Sequence, residues 1–380
     1  MKEGNTSMHG SSPDTSPQRS LAYGSSARMF PRSSRWYKLQ KKGKPVLQHV
    51  LVFTAGLFFL LPFLWMLSTA LKSDMDIYRT PPSWLPYDLK QVEIKGELLP
   101  LYTVQIDGMT KELAALEIER GQGTFVDPAD PDTFIEVPMR TAEPILVVRP
   151  RWQNFPDALS KAVRSGTGVS FLTYIKNSLT IAFFSILGTL ISCTTAAYGF
   201  ARLNWPGRDK IFLVVMGTMM LPFQVTMIPM YVVFSRIGWT NTFLPLIVPT
   251  FFGNAFIIFL LRQFFLTIPE EMCDAARVDG ASEWQIFSRI VLPLSKPVLA
   301  SVVVFTFLWV WNDFIGPMLY LTDPKLFTLA IGLQDYQGQH NVAWNQLMSA
   351  SIVFTLPVIV AFFFAQRTFI QGVRLTGLKE

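Results

Sequence analysis

Six long apolar runs dominate the hydrophobic pattern of this chain, and shorter polar stretches separate them. Each run reaches the ~20 residues that a helix needs to cross the hydrocarbon core of a bilayer. We predict membrane-spanning helices at about His49–Leu71, Thr173–Tyr198, Ile211–Ser235, Phe243–Phe265, Pro297–Tyr320 and Val342–Phe364. The pattern therefore predicts an all-α polytopic membrane protein with six transmembrane helices.

The polar stretches divide the chain into regions. Residues 1–44 are rich in Ser, Pro, Gly and basic side chains and have no apolar period, so we expect a disordered basic tail. The first transmembrane helix then occupies 45–71, and residues 72–170 form a long loop. Residues 171–366 hold the other five spans, and residues 367–380 form a C-terminal tail.

The long loop contains a stretch, about residues 89–150, whose apolar and polar positions alternate between Gly and Pro. The clearest pieces are Gln91–Lys95, Leu101–Ile106 and Ile145–Val148. Such alternation predicts a small β-rich module. The acidic run Asp127–Asp132 lacks the glycine and distal glutamate of a calcium-binding loop, so we interpret it as a turn.

Composition and charge support the membrane assignment and orient the chain. Apolar residues make up 50% of the 380 residues, charged residues only 16%, and the mean hydropathy of +0.32 excludes an ordinary soluble domain. The net charge of +6 does not indicate nucleic-acid binding, because the basic residues lie beside the apolar runs. By the positive-inside rule, both termini are cytoplasmic and residues 72–170 are extracytoplasmic.

A charged segment at residues 269–293 separates the fourth and fifth spans. Pro269 and the two glutamates that follow it favour a helix start, and Gly280 favours its end. Ser282 and Gln285 have the spacing of a capping box, which predicts a second helix ending at Pro293. On the first helix we predict a smooth face of small side chains, formed by Met272, Ala275 and Ala276. On the second helix we predict an anchoring apolar face, formed by Ile286, Phe287, Ile290 and Val291.

This segment resembles the EAA motif of the membrane subunits of binding-protein-dependent ABC importers. The matching positions are Asp274-Ala275-Ala276, Asp279-Gly280-Ala281, Phe287, Ile290, Leu292 and Pro293. Asp274 departs from the usual glutamate by one methylene. The stretches Leu221–Thr242, Trp311–Asp313 and Leu326–Tyr336 are similar to the maltose-type, MalG-like sugar permeases, so the resemblance covers most of the chain outside the predicted module.

The resemblance implies the type I ABC importer permease fold in the plasma (inner) membrane. It implies a carbohydrate importer in which this chain pairs with a homologous second permease, two ATP-binding cassette ATPase subunits and an extracytoplasmic solute-binding protein. The segment 269–293 would form coupling helices that sit in a cleft of the ATPase and drive alternating access. The coupling residues would be Asp274, Ala275, Ala276, Asp279, Gly280, Ala281 and Phe287.

The resemblance also bears on enzymatic activity and on the predicted module. The chain has no GxxxxGK[ST] phosphate loop, so we expect ATP to be bound by the partner subunit, and neither a cofactor nor enzymatic activity here. The module at 89–150 is either a lineage-specific addition or a contact surface for the binding protein.

Polar residues within the spans are candidates for lining a translocation path, since an unpaired polar group in hydrocarbon is costly. The candidates are Asn177, Gln224, Asn254, Asn312, Asp313 and Asn345. Asn312 and Asp313 are the strongest, because they also match the WND signature of sugar-importer permeases. The alternative is that these side chains form hydrogen bonds between helices.

Other classes of membrane protein fit the sequence less well. A stand-alone secondary transporter or channel would show acidic residues deep in its spans or inverted repeats, and apart from Asp313 we find neither. A membrane enzyme would need clustered His, Asp or Glu at membrane depth. Three scattered histidines predict no metal site, and two separated cysteines predict no disulfide framework.

Overall fold

A computed structural model describes residues 34–106, 109–119, 121–160, 168–336 and 343–376. The α-helices are α1 (Ser34–Ala70), α2 (Asp74–Ile77), α3 (Asn154–Ser160), α4 (Phe171–Arg202), α5 (Arg208–Thr218), α6 (Phe223–Arg236), α7 (Leu244–Ile247), α8 (Ala255–Phe265), α9 (Glu270–Val278), α10 (Glu283–Ile286), α11 (Leu292–Leu294), α12 (Lys296–Trp311), α13 (Ile315–Tyr320), α14 (Leu329–Asp335) and α15 (Trp344–Thr376). The strands are β1 (Tyr87–Leu89), β2 (Gln91–Ile94), β3 (Glu97–Ile106), β4 (Met109–Glu119), β5 (Gln122–Asp127), β6 (Asp130–Pro138), β7 (Ala142–Pro144) and β8 (Leu146–Val148).

The described residues hold four segments, or six if two bent pairs each count as one, that are long and apolar enough to span a membrane. Four segments are long and apolar enough alone: Val46–Ala70, Phe171–Arg202, Leu244–Phe265 and Trp344–Phe364. Two further pairs qualify only when taken together, α5 with α6 and Glu283–Leu294 with α12, and they bend by 95° and 78° at their breaks. The predicted number of six spans therefore requires each bent pair to be one span.

The first helix begins earlier than the sequence predicts. The chain divides near Leu60 into two units, and α1 runs from the first unit into the second. Residues 34–44, predicted to be part of a disordered tail, are helical. Lys, Leu and Gln are good helix formers, and a helix that has already formed extends at little cost. Residues 1–33 of the predicted tail lie outside the described residues.

The fifth predicted span, Pro297–Tyr320, is not one continuous helix. Its helix α12 ends at Trp311, and α13 begins four residues later. Pro317 has no N–H, and in a continuous helix its ring would clash with the carbonyl of Asp313. The helix is interrupted there, and the side chain of Asp313 accepts, at Oδ1, a hydrogen bond of 3.0 Å from the backbone N–H of Gly316. The third predicted span breaks similarly, at Met219–Pro222, before α6.

An antiparallel sheet occupies the loop between α2 and α3. Its order is β2-β3-β4-β5-β6, with β7 also paired to β3, while β1 pairs with β8 separately. Val104, Leu113 and Phe125 are fully buried in its core. The three pieces named from the sequence coincide with β2, the second half of β3 and β8, and β4, β5 and β6 fill the rest of the predicted β-rich stretch. The predicted turn at Asp127 is present, with Asp127 Oδ1 accepting the N–H of Ala129 at 2.9 Å.

Hydrogen bonds connect the end of this loop to the last turn of α1. The Asn154 side chain donates from Nδ2 to the carbonyls of Ala70 and Lys72, at 2.8 and 2.9 Å. Lys72 is itself buried and donates from Nζ to the Ser83 carbonyl at 2.5 Å. Burial lowers the pKa of the Lys72 amine, an effect that the nearby carboxylate of Asp76 opposes.

Helix α4 is the centre of the helical core and packs against α8, α12 and the 3-10 turn Val248–Phe252. Its Gly188 allows a close approach, since a Cβ there would lie 2.5 Å from Thr250 Oγ1 and 2.6 Å from the Phe251 ring. Two apolar clusters flank this contact. One includes Tyr174 and Trp311, and the other includes Tyr198 and the segment between α8 and α12.

Candidate functional site

The segment between α8 and α12 folds as the predicted helix, glycine turn and second helix. Helix α9 follows Pro269 directly, and Gly280 has a φ of +81°. The Ser282 hydroxyl accepts the N–H of Gln285 at 3.4 Å, while Gln285 Oε1 accepts the N–H of Ser282 at 2.8 Å. The predicted start, turn and capping box are therefore confirmed.

The predicted end of the second helix, at Pro293, is wrong. Helix α10 continues through a π-helical turn, Phe287–Val291, into α11, which ends at Leu294. Pro293 therefore lies inside this run of helix, one residue before its end. Ser295 follows as the C-cap residue, and its hydroxyl donates to the carbonyl of Val291 at 2.7 Å.

One face of the segment is buried against the spans. Cys273, Ile286 and Val291 are fully buried, and Phe287 is 4% exposed. They belong to one apolar cluster with residues of α4 and α8, among them Ala197, Ala201, Leu261 and Phe265. The anchoring face predicted from the sequence is thus buried at Ile286, Phe287 and Val291 and half-buried at Ile290, and Cys273 is an additional member.

The other face is open to solvent. Asp274, Ala275, Asp279 and Gly280 are exposed, and Ala276 and Ala281 are half-buried. Three larger apolar side chains are also exposed: Met272 at 44%, Val278 at 88% and Trp284 at 67%. Two carboxylates and small side chains therefore share this surface with apolar side chains that are 44% exposed or more.

A polar network crosses the segment. Arg277 donates from Nη1 to Asp274 Oδ1 at 2.7 Å and from Nε to Glu283 Oε1 at 2.8 Å. The other carboxylate oxygen of Glu283 accepts the Tyr198 hydroxyl of α4 at 2.5 Å. The hydrogen bond to Glu283, followed by the one to Asp274, raises the pKa of the Arg277 guanidinium above its ordinary value, so Arg277 is a permanent cation. The network joins α4, α9 and α10.

A second arginine positions the start of the segment. Arg202, at the end of α4, donates from Nη2 to the carbonyl oxygens of Phe265 and Ile268. The last carbonyls of a helix have no partner within it, so Arg202 satisfies the end of α8. Sequence reasoning missed Arg202, Tyr198 and Glu283 as members of this site. Their only signal was that they are polar: Tyr198 and Arg202 lie at the end of the second predicted span, and Glu283 lies within the charged segment.

Three of the six candidate path residues form side-chain hydrogen bonds with backbone groups or with a neighbouring helix. Asn177 donates from Nδ2 to the carbonyls of Lys325 and Phe327, at 2.8 and 3.0 Å. Asn254 caps α8 by accepting the N–H of Ile257 at 3.1 Å, and Asn345 donates to Asp74 Oδ1 at 2.9 Å. The contact of Asn345 joins α15 to α2, as the alternative of hydrogen bonds between helices predicts, whereas Asn177 holds the loop before α14 and Asn254 caps its own helix.

The other three candidates are more open. Asn312 is exposed, and its amide donates to the carbonyl of Leu308 at 2.8 Å, while Asp313 is half-buried in the break between α12 and α13. Gln224 is exposed at the start of α6, far from this break along the chain. Among the described residues, no group of three His, Cys, Asp or Glu side chains is placed to hold a metal ion.

A likeness to one solved structure shows the fold. A crystal structure of a bacterial ABC transporter involved in the import of the acidic polysaccharide alginate matches 86% of this chain and 97% of its own chain. The TM-score is 0.60 and the sequence identity is 20%. The helical part of the chain therefore has the type I ABC importer permease fold.

Comparisons of sequence identify the family. The sequence profile described as "Binding-protein-dependent transport system inner membrane component" matches residues 171–375. The osmoprotective compounds uptake permease protein GgtD of Synechocystis sp. is 35% identical over 60% of this chain and 74% of its own length. The arabinooligosaccharides permease AraQ of Bacillus subtilis is 33% identical over 56% and 75% respectively, and the sn-glycerol-3-phosphate permease UgpE of Salmonella typhi is 35% identical over 55% and 75%. The chain therefore belongs to the binding-protein-dependent transport system inner membrane components, the permease subunits of ABC importers.

Proposed function

We propose that this chain forms one half of the translocation path of an ATP-driven importer and that residues 269–293, the coupling segment, dock on a separate ATPase subunit. The proposal rests on one observation, that the segment has one buried face and one exposed face. Cys273 and Ile286 are buried against the spans, while Asp274 and Ala275 face solvent. Small side chains let a partner's surface approach the α9 backbone closely, and the carboxylate of Asp274 supplies a directional contact.

The exposed apolar side chains support the same docking surface. Val278 and Trp284 flank the Gly280 turn, and they are 88% and 67% exposed. Tryptophan in particular is enriched among the residues that contribute most to protein–protein binding, because its burial removes a large apolar area from water. We infer that the ATPase covers Trp284 and Val278 when it engages α9.

We further propose six spans, with both termini and the coupling segment in the cytoplasm and the β-sheet outside. The basic residues support this orientation: Arg202, Arg208 and Lys210 follow the second predicted span, whereas the short connection after α6 carries none after Arg236. Positive residues near span ends are retained on the cytoplasmic side. This arrangement exposes the coupling segment to the compartment that contains ATP.

The proposed mechanism is alternating access. ATP binding brings two ATPase subunits together, and each carries its docked coupling helices with it. Rigid-body movement of packed helices switches which side of the membrane the path opens to. The chain's own contribution is mechanical, because α9 and α10 are packed on the ends of α4 and α8 and move with them.

A second, homologous permease completes the path in this proposal. Helices α5 and α6 and the break between them leave large apolar side chains exposed, including Leu213 at 72%, Met220 at 84%, Val225 at 63% and Ile228 at 65%. Lipid covers part of such a surface, and the partner permease covers the rest. An extracytoplasmic solute-binding protein delivers the substrate.

We propose a carbohydrate or related polyhydroxylated solute as the substrate. Relatives named for arabinooligosaccharides and sn-glycerol-3-phosphate support this class, since both ligands present several hydroxyl groups. Of the candidate path residues, Asn312, Asp313 and Gln224 are the best placed to exchange hydrogen bonds with hydroxyls, because their side chains are at least partly accessible. The carboxylate of Asp313 accepts and the amide of Asn312 both donates and accepts.

Site-directed cross-linking tests the docking proposal. Ala275→Cys places a thiol on the exposed face, and the native Cys193 and Cys273 are buried, so they give little background. We expect Ala275→Cys in the assembled importer to form a cross-link with the ATPase subunit and to react with a membrane-impermeant maleimide only from the cytoplasmic side. Asp130→Cys, exposed on the sheet, is the matched control and should react only from the outside.

Two results would contradict the proposal. One is labelling of Ala275→Cys from outside intact cells. The other is a failure of this thiol to cross-link with any ATP-hydrolysing subunit, in membranes where the importer is assembled and active.

A further inference from the structure

The hydroxyl of Tyr198 in α4 lies 2.5 Å from Glu283 Oε2 in α10, 85 residues away along the chain. We infer that Tyr198 and Glu283 are positioning residues that fix the orientation of the coupling segment relative to the spans, so that movement of the ATPase is transmitted to α4. This inference rests on the proposed function. It adds two residues that do not belong to the predicted docking surface.

Apolar packing alone does not fix this orientation. Ile286 and Phe287 bury their side chains in a cluster of Ala, Leu and Phe, where contacts depend on area and have little directional preference. A hydrogen bond to an ionised carboxylate is directional and about twice as strong as one between neutral groups. The Tyr198–Glu283 bond therefore supplies a directional contact between α10 and a span, in addition to the one that Arg202 makes before α9.

Further hydrogen bonds connect Glu283 to the proposed docking surface. Arg277 links the carboxylate of Glu283 to that of Asp274, through hydrogen bonds of 2.8 and 2.7 Å. The path from the span to the docking helix thus consists of three hydrogen bonds: Tyr198 to Glu283, Glu283 to Arg277, and Arg277 to Asp274. Asp274 is 61% exposed in its side chain, so the path ends at the surface that the ATPase is proposed to contact.

The Tyr198–Glu283 hydrogen bond can be removed without disturbing the apolar packing of the Tyr198 ring. Tyr198 is 5% exposed, and its ring lies 5.0 Å from the Phe287 ring between centroids. Tyr198→Phe keeps this ring contact and removes only the hydroxyl. The side chain of Glu283 is 43% exposed, so water can solvate the carboxylate oxygen that loses its donor. We therefore expect Tyr198→Phe to fold and assemble while its coupling segment turns more freely.

The test measures coupling in the complete importer, reconstituted in liposomes with its ATPase, partner permease and binding protein. The variants are Tyr198→Phe, Glu283→Ala and the double variant, and the readout is ATP hydrolysed per solute transported. We expect Tyr198→Phe to raise this ratio by roughly three- to ten-fold, as loss of one hydrogen bond predicts. Glu283→Ala should raise it at least as much, because it removes both the acceptor of the Tyr198 hydroxyl and the partner of Arg277. The double variant should raise it no further than Glu283→Ala alone, because that variant has already removed the acceptor of the Tyr198 hydroxyl.

Tyr336→Phe is the matched control. Tyr336 is also buried, and its hydroxyl also donates to an oxygen, the carbonyl of Ala158, but it lies in the other apolar cluster. Loss of this hydroxyl should lower thermal stability without changing the ATP-to-solute ratio. An unchanged ratio in Tyr198→Phe, or an equal change in Tyr336→Phe, would overturn the inference.

A cross-linking readout separates this inference from the docking proposal. If Ala275→Cys cross-links with the ATPase equally well in the wild-type and Tyr198→Phe backgrounds while the ratio is unchanged, docking stands and the positioning role fails. If Ala275→Cys does not cross-link even with Tyr198 intact, the docking proposal itself fails, and the inference fails with it.

Discussion

The backbone N–H of Ala281 donates to the carbonyl oxygen of Ala276 at 2.9 Å and closes the turn between α9 and α10. The N–H of Gly280 donates to the carbonyl of Arg277 at 3.0 Å, so the pair forms a Schellman motif with Gly280 in the left-handed region, at a φ of +81°. A Cβ at Gly280 would meet no atom within 4 Å. The requirement for glycine is therefore conformational and not steric.

Gly280→Val should uncouple ATP hydrolysis from transport. A side chain in the left-handed conformation costs about 1–2 kcal/mol, and branching at Cβ adds to this, so the turn should relax and change the angle between α9 and α10. We expect normal membrane insertion, a lower transport rate and more ATP hydrolysed per solute. Reconstituted liposomes that report both rates are the appropriate measurement.

Gly280→Asn is the matched control, because asparagine tolerates the left-handed conformation better than other residues with a side chain. Its ATP-to-solute ratio should lie close to that of the wild type. Equal coupling in Gly280→Val and the wild type would contradict a requirement for this turn geometry.

Asn177→Ala should destabilise the protein. The substitution removes two donors and leaves the carbonyls of Lys325 and Phe327 without their partner, which we expect to lower the free energy of unfolding by about 1–3 kcal/mol. A lower melting temperature of the purified permease complex would report the loss. Its binding-protein-dependent transport rate per folded complex should change little, because Asn177 faces the loop before α14.

Asn312→Ala should have little effect on stability, in contrast to Asn177→Ala. Asn312 is exposed and donates only to a carbonyl of its own helix, so its loss should change the free energy of unfolding by no more than about 0.5 kcal/mol. If Asn312 contacts the solute, transport should fall by roughly five-fold, the size of one hydrogen bond. A lower melting temperature with unchanged transport would show that Asn312, like Asn177, is structural.

Local signals explain why the coupling segment was predictable. Pro269, Gly280 and the pair Ser282–Gln285 act within a few residues of their own positions, and each was found where the sequence placed it. The π-helical turn at Phe287–Val291 has no such local signal, and its residues Phe287 and Val291 are buried in the cluster shared with α4 and α8. The Tyr198–Glu283 contact joins residues from different elements, and no periodicity reports it.

Strand β4 shows how pairing can override local preference. Its central sequence, Glu112-Leu113-Ala114-Ala115-Leu116-Glu117, consists of residues that favour helices. In the structure it pairs with β3 on one side and β5 on the other, and it buries Leu113, Ala114 and Ala115. Burial between two strands outweighs the helix propensity, which is a tertiary effect that single-sequence reasoning does not contain.

Gly188→Ala should be more harmful than Gly199→Ala, although both positions lie in α4. A Cβ at Gly188 would lie 2.5 Å from Thr250 Oγ1 and 2.6 Å from the Phe251 ring, whereas one at Gly199 would meet nothing within 4 Å. Overpacking of this kind costs about 1–3 kcal/mol, so the melting temperature should fall for Gly188→Ala. Gly199→Ala should equal or exceed the wild type, because alanine favours helices. Equal melting temperatures would contradict the close approach.

Phe125→Ala should loosen the sheet and leave the helical core intact. Phe125 is fully buried, with its ring 5.7 Å from that of Tyr102, and truncating a buried Phe costs about 3–5 kcal/mol. The sheet has its own apolar clusters, which share no residue with those of the helices, so the loss should remain local. Hydrogen exchange should accelerate in β4, β5 and β6 but not in α4.

The matched control for that experiment is Phe134→Ala in β6. Phe134 is 64% exposed, so its truncation removes little buried area and should change exchange protection by no more than about 0.5 kcal/mol. Faster exchange in α4 of Phe125→Ala would show that the sheet and the helices unfold together. Equal protection in the Phe125→Ala and Phe134→Ala variants would instead mean that Phe125 does not stabilise the sheet, since burial is the property that distinguishes the two positions.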